Sequence, residues 1–208
     1  MLKMVGFDLD DTLYYHWSFE KQIFYKISIV VEKKYGINRE KYFENLKSLF
    51  FQKNKYRTFD YALKNLVHEI PEDWDNFVKD MILPIYRNFK PKDKLEKIEE
   101  NFKIMLDYYT KKIPLFLVTN GNVNVQKNKI DKLEIASYFD EILISDFFGK
   151  EYRKPNTYMF SYILEKYNLN PNEVIYYGDD EKIDSCSEIL GIKFINISKD
   201  ISKDRRKF

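Results

Sequence analysis

The sequence predicts an α/β protein: a parallel β-sheet covered by helices, with an all-helical segment inserted after the first strand. Three observations carry this. Five short apolar runs have the unbroken hydrophobicity of strands buried on both faces. From residue 91 onward these runs alternate with stretches of helical periodicity, the order expected of parallel strands joined by crossover helices. Residues 14–90, by contrast, have helical periodicity throughout and no strand-like run. Residues 1–13 and 91–208 are therefore assigned to an α/β core domain and residues 14–90 to a helical domain.

Taken in order, the first strand is the run led by Leu2, Met4 and Val5, which ends in Asp8, Asp10 and Asp11. Phe19, Ile23, Ile27, Val30 and Val31 then recur at helical spacing as far as Tyr35-Gly36, where glycine suits the residue that closes a helix. Asn38 can cap a second helix bearing Tyr42, Phe43, Leu46, Leu49 and Phe50. A third helix is expected over residues 59–70, carrying Leu63, Leu66 and Val67. Pro71 starts a fourth, with Trp74, Phe77, Val78, Met81 and Ile82, which Pro84 kinks or ends. Beyond Lys90-Pro91, a helix over residues 93–110 leads to a strand at 113–118 that stops at Thr119-Asn120-Gly121. A helix over 123–136 and a strand over 141–145 follow. Pro155 opens a helix with Met159, Phe160, Ile163 and Leu164, and the strand 174–177 comes next. The chain then runs through a helix over 181–190, ended by Gly191, to a last strand at 193–197.

Composition narrows the function classes. Lys plus Arg (35) nearly balance Asp plus Glu (33), so no overall field selects nucleic acid or an anionic membrane. The segment Lys203-Asp204-Arg205-Arg206-Lys207 is basic, and as a short end it reads as solvated. Cys186 stands alone, which excludes an intramolecular disulfide. With only His16 and His68 beside it there is no set of soft ligands for structural zinc. No apolar run reaches signal-peptide or bilayer length, and a soluble cytoplasmic protein, monomer or homodimer, is expected.

Three polar clusters lie where ligands bind in an open parallel sheet, beyond the carboxyl ends of strands. They are Asp8 to Thr12, Thr119-Asn120-Gly121, and Gly178-Asp179-Asp180. Strand alternation puts Asp8 and Asp10 on the same side of the chain, with Leu9 opposite. Two like charges 4 Å apart repel by about 4 kcal/mol at an effective dielectric of 20, so such a pair calls for a compensating cation or proton. Thr119-Asn120-Gly121 offers a hydroxyl and backbone N–H groups ahead of a helix, where the dipole favours an anion, although alone it also reads as an ordinary strand-to-helix turn. Gly178-Asp179-Asp180-Glu181-Lys182-Ile183-Asp184 sets further acids at the end of a buried strand.

These residues resemble the four motifs of the haloacid dehalogenase superfamily of phosphatases. Motif I, Asp-x-Asp-x-Thr-Leu, matches Asp8, Asp10, Thr12 and Leu13. Thr119 takes the place of the motif II Thr or Ser, and Lys154-Pro155 matches motif III, with Lys150 a weaker candidate because the stretch between Gly149 and Lys154 is about two residues longer than expected. Gly178-Asp179 with Asp184 resembles motif IV, although Asp180 stands where Ser is frequent and Ser187-Glu188 replaces small residues. The resemblance implies a Rossmann-like core with a C1-type helical cap that closes over it, excludes water and shapes the pocket. It implies Mg2+ held by the side chains of Asp8 and Asp179 and the main-chain carbonyl of Asp10, with Asp180 or Asp184 left open as a further ligand. A hard divalent ion with oxygen ligands fits that many negative charges beside a phosphate.

By the same resemblance, Asp8 is the nucleophile that forms an aspartyl-phosphate, steadied by Lys154, with Thr119, Asn120 and Gly121 at the phosphate. Asp10 is the acid and then the base, and its acidic neighbours are expected to raise its pKa. A halide leaves as a stable anion and needs no acid, whereas an alkoxide does, so Asp10 points to phosphate ester hydrolysis. The substrate class is a small phosphorylated metabolite. Two alternatives remain: a phosphomutase of the same superfamily, disfavoured by Asp11 where mutases usually have Gly, and a non-enzymatic signalling receiver, which lacks a helical insert of this size.

Overall fold

The computed structural model describes residues 1–53 and 57–197; the basic segment 203–207 lies outside them. The chain forms two compact units, Met1–His16 with Lys94–Phe208, and Trp17–Asp93. The division falls at 16/17 and 93/94 because Tyr14 bridges both Asp10 and Lys97, Tyr15 N bonds Glu96 O, and Ile98 N bonds Leu13 O.

The first strand, β1 (Met4–Phe7), is buried along its whole length. The helical unit follows with α1 (Trp17–Tyr35) and α2 (Arg39–Phe51), whose cap Asn38 accepts from Lys41 N as its sequence suggests. α3 (Thr58–Lys64) stops six residues short of the expected end: Asn65 closes it, and Ile70, directly before Pro71, is disfavoured in helical geometry. α4 (Trp74–Phe77) passes through a π turn at Val78–Ile82 into α5 (Leu83–Arg87). Pro84 therefore neither ends nor merely kinks the helix. Its ring clashes with the preceding turn and it has no N–H to give, so the coil widens there and Leu83 N reaches back to Val78 O. Aromatic rings fill this unit: Trp17 packs on Phe24, Phe43, Phe50 and Phe51, and Trp74 on Tyr35, Tyr42 and Phe77.

The α/β unit resumes with α6 (Glu99–Thr110), which starts six residues later than its periodicity suggests, since the pairing with residues 13–15 holds the stretch before it extended. Then come β2 (Leu115–Thr119), α7 (Val123–Leu133), β3 (Glu141–Ile144) and a short α8 (Ser145–Phe148) that sequence periodicity does not signal. α9 (Tyr158–Lys166) begins three residues after Pro155, where Asn156 Oδ1 accepts from Tyr158 N. β4 (Val174–Gly178), α10 (Glu181–Asp184), a 3-10 segment (Ser185–Leu190) and β5 (Lys193–Asn196) complete it.

The five strands among the described residues are all parallel, in the order β3-β2-β1-β4-β5, with β1 at the centre. This is the doubly wound order with its switch point beside β1, and it differs from the 2-1-3-4-5 order of receivers, which removes the receiver reading. Side-chain alternation builds two cores. Phe7 stacks on Tyr177, which meets Tyr108 of α6, on one face. Phe116 stacks against Tyr176, which meets Phe160 of α9, on the other. Gly6 lies under the Phe116 ring, and a Cβ there would come within 2.2 Å of it. Among the described residues no helix is long and apolar enough to cross a membrane.

Candidate active site

The ends of β1, β2 and β4 meet at one edge of the sheet. β1 stops at Phe7, so Asp8 is the first residue beyond it, and its N–H is still held by Tyr177 O of β4 at 2.8 Å. Its carboxylate is buried, and Oδ1 receives the Lys154 ammonium at 2.7 Å. Lys154 Nζ also donates to Asp184 Oδ1 at 2.6 Å, to Tyr176 Oη at 2.8 Å and to Val118 O at 3.1 Å, so the ammonium is surrounded by acceptors. Lys150 is exposed, and the site lysine is Lys154.

Two sequence features place these groups. Asn120 exchanges hydrogen bonds with the main chain of Lys154, donating to its carbonyl and accepting from its N–H, at 2.8 and 2.7 Å. The Asn120 amide, expected at the phosphate, is thus committed to anchoring the lysine. Gly178 ends β4 where a Cβ would meet Asp184 Oδ2 at 2.4 Å, so only glycine lets that carboxylate lie against the strand end. Asp180 N holds Asp184 Oδ2 from the other side at 3.1 Å.

Asp8, Asp179 and Asp184 each present an oxygen within 4.8 Å of the other two. Of the two acids the sequence left open, Asp184 lies in this cluster, while Asp180 caps α10 by accepting from Lys182 N. An anionic all-oxygen set of this kind fits a hard divalent cation. Electrostatics agree. Burial raises the Asp8 carboxyl well above its ordinary 3.8, the Lys154 ammonium opposes this, and Asp184 and Asp10 add to it. Burial would lower the Lys154 ammonium, but Asp8 and Asp184 together hold it above its ordinary range. One cation shared by two buried carboxylates leaves negative charge in excess.

Asp10 occupies a different setting. Asp11 takes a left-handed φ of 58°, which a short polar residue tolerates, and the turn carries the chain away from the strand direction. The Asp10 carboxylate receives Lys129 Nζ at 2.9 and 3.0 Å, Tyr14 Oη at 2.5 Å and Gln126 Nε2 at 3.1 Å, with His16 Nε2 at 3.8 Å. The expected rise in its pKa is therefore corrected. Burial does push it up, but His16, Lys129 and the Tyr14 hydroxyl outweigh burial and hold it below the usual carboxylate range. Its carboxylate lies outside the cluster formed by Asp8, Asp179 and Asp184, which is compatible with the main-chain carbonyl being its contribution there.

Thr119, the last residue of β2, is buried, and its Oγ1 accepts from Gln126 Nε2 at 2.6 Å. Gly121 follows at φ 143°, a conformation that favours glycine, with its N–H on Ser145 Oγ at 3.0 Å. Sequence reasoning missed Gln126 and Lys129. The available signal was their position on α7, at the helical spacing of its buried residues Val125, Ile130 and Leu133.

A family model described as haloacid dehalogenase-like hydrolase matches residues 5–197. A glyceraldehyde 3-phosphate phosphatase from Methanocaldococcus jannaschii is 27% identical over 207 residues, covering 98% of this chain and 88% of the relative. An N-acylneuraminate-9-phosphatase from Rattus norvegicus is 31% identical over 87 residues, 42% of this chain and 34% of the relative. Among solved structures, the HAD-hydrolase YfnB from Bacillus subtilis bound to magnesium superposes with a TM-score of 0.68 at 17% identity, covering 96% of this chain and 88% of that one, a likeness of fold.

Proposed function

This chain belongs to the haloacid dehalogenase-like hydrolase family, and we propose that within it the protein is a phosphatase that hydrolyses the phosphate monoester of a small phosphorylated metabolite. The observation that carries this reading is the buried Lys154 ammonium bridging Asp8 and Asp184 at 2.7 and 2.6 Å, with Asp179 beside them. Relatives named as phosphatases of glyceraldehyde 3-phosphate and of N-acylneuraminate 9-phosphate support the substrate class. Glyceraldehyde 3-phosphate is the first compound to try.

In this reading Asp8 attacks phosphorus: the Oδ–P bond forms as the bond from phosphorus to the ester oxygen breaks, and the leaving oxygen takes a proton from Asp10. Water then attacks the aspartyl-phosphate, giving its proton to Asp10, while the Oδ–P bond breaks and phosphate departs. Asp10 rests as a carboxylate beside Lys129, which suits the second step directly. For the first, an arriving phosphate dianion adds negative charge next to it and pushes its carboxyl back up. Lys154 keeps Asp8 turned toward phosphorus and carries positive charge to the developing anion. The Thr119 hydroxyl, accepting from Gln126, has its own hydrogen to give to a phosphoryl oxygen. Asp8, Asp179 and the Asp10 carbonyl, with Asp184 adjoining, would hold Mg2+, which when bound neutralises charge and orients the phosphoryl group. The helical unit Trp17–Asp93 is proposed as the cap that selects the substrate.

The test is phosphate release from p-nitrophenyl phosphate and a panel of sugar and triose phosphates with Mg2+. Turnover abolished in Asp8→Asn supports the reading. Full activity in Asp8→Asn, or no release from any member of the panel, removes it.

A further inference from the structure

Lys129 is an ammonium where an apolar side chain would serve the helix as well. It lies on the buried side of α7 with Val125, Ile130 and Leu133, and its side chain is 3% exposed. Burying a lone ammonium costs several kcal/mol unless it is paired and hydrogen-bonded. Here the pairing is specific: Nζ spans both oxygens of Asp10, at 2.9 and 3.0 Å, and lies 3.3 Å from His16 Nε2. One turn earlier, Gln126 uses a single amide nitrogen to reach Asp10 Oδ2 at 3.1 Å and Thr119 Oγ1 at 2.6 Å. One face of one helix thus links the expected acid/base to the expected phosphate ligand.

We propose that Lys129, assisted by Gln126, is a positioning residue that fixes the aim of the Asp10 carboxyl, so that one group serves the leaving oxygen and then the attacking water. The inference rests on the acid/base role proposed above for Asp10. A carboxyl on a turn rotates about two side-chain bonds, and two donors from a rigid helix remove that freedom while Tyr14 bonds from the opposite side. Thr119 is registered to the same helix, so the phosphoryl group and the proton donor share one frame. That is the condition under which general acid catalysis contributes at full strength.

The test exploits leaving groups. p-Nitrophenolate departs without help from an acid, whereas an alkoxide needs the proton. The ratio of kcat/KM for glycerol 3-phosphate to that for p-nitrophenyl phosphate therefore reports proton delivery up to departure of the leaving group. In the full-length protein with Mg2+, Lys129→Met is expected to lower that ratio by about tenfold or more. Lys129→Arg, which keeps a bidentate donor, is expected to restore most of it, and Gln126→Met to lower it by a few-fold. Equal loss on both substrates, or an unchanged ratio in Lys129→Met, overturns the proposal. If Lys129→Met does not fold, Gln126→Met and Lys129→Arg decide alone, an unchanged ratio in the former counting against. Asp10→Asn separates the two claims. If it lowers the ratio and Lys129→Met does not, the inference alone fails, and if it leaves the ratio unchanged, the acid role of Asp10 fails with it.

Discussion

Asp8 and Asp10 are two residues apart, each bonded to its own buried lysine, yet their surroundings drive their protonation in opposite directions. Lys154 is shared between Asp8 and Asp184, so burial wins at Asp8. At Asp10, His16 and a Lys129 ammonium that spans both oxygens, with the Tyr14 hydroxyl, outweigh burial. Each carboxylate has a lysine; what separates the two sites is that Lys154 is divided between two acids, whereas Asp10 has His16 and the Tyr14 hydroxyl beside a lysine of its own. In the proposed mechanism a divalent ion would serve the first site and not the second, which suits a nucleophile turned toward a phosphate dianion and an acid/base held in place.

The comparison breaks most visibly at Lys154. Lys154→Met leaves two buried carboxylates facing each other, and the expected loss of stability is about 3–5 kcal/mol, read by chemical denaturation without metal. A loss under 1 kcal/mol would mean that the shared cation is not what holds this edge together. Divalent metal sharpens the contrast next. Mg2+ at a hundred times its dissociation constant should stabilise the protein by about 2.7 kcal/mol, seen as a raised Tm. Asp179→Asn should remove most of that gain, whereas Lys129→Arg should leave it intact.

The contrast is also read in the pH dependence of metal-free stability. Asp8 has a raised pKa, so the folded state binds more protons than the unfolded chain from the ordinary carboxylate pKa up through the raised value, and stability falls as pH rises across that window. Asp10 is depressed, so its contribution is present above the ordinary carboxylate pKa and is lost as pH falls below it. Asp8→Asn should therefore gain on wild type as pH rises from the ordinary carboxylate pKa through the raised value, whereas Asp10→Asn should lose on wild type as pH rises toward the ordinary carboxylate pKa and then hold level. Matching slopes in the two variants would contradict the comparison.

How much of this could be read from the chain follows from the range of the signals. Strand identity and the polar residues at strand ends are local, and the sequence placed all five strands and the clusters at Asp8, Thr119 and Asp179 correctly along the chain. What failed depended on contacts with distant segments. The start of α6 is set by pairing with residues 13–15, and Asn120 turned out to grip the main chain of Lys154, 34 positions away. The direction of the Asp10 shift was misjudged because its acidic neighbours are read directly from the sequence, whereas the approach of His16, Lys129 and the Tyr14 hydroxyl to its carboxylate is set by folding. A lysine in a helix ordinarily reads as solvated, and its burial is decided only when α7 docks.

Whether Asp8 takes up phosphorus is decided by mass spectrometry of protein acid-quenched during turnover with Mg2+ and a phosphate ester. A phosphoryl adduct on Asp8 is expected, growing within the first turnover and absent from Asp8→Asn. Steady phosphate release with no adduct on Asp8, or with an adduct on another residue, would contradict this expectation.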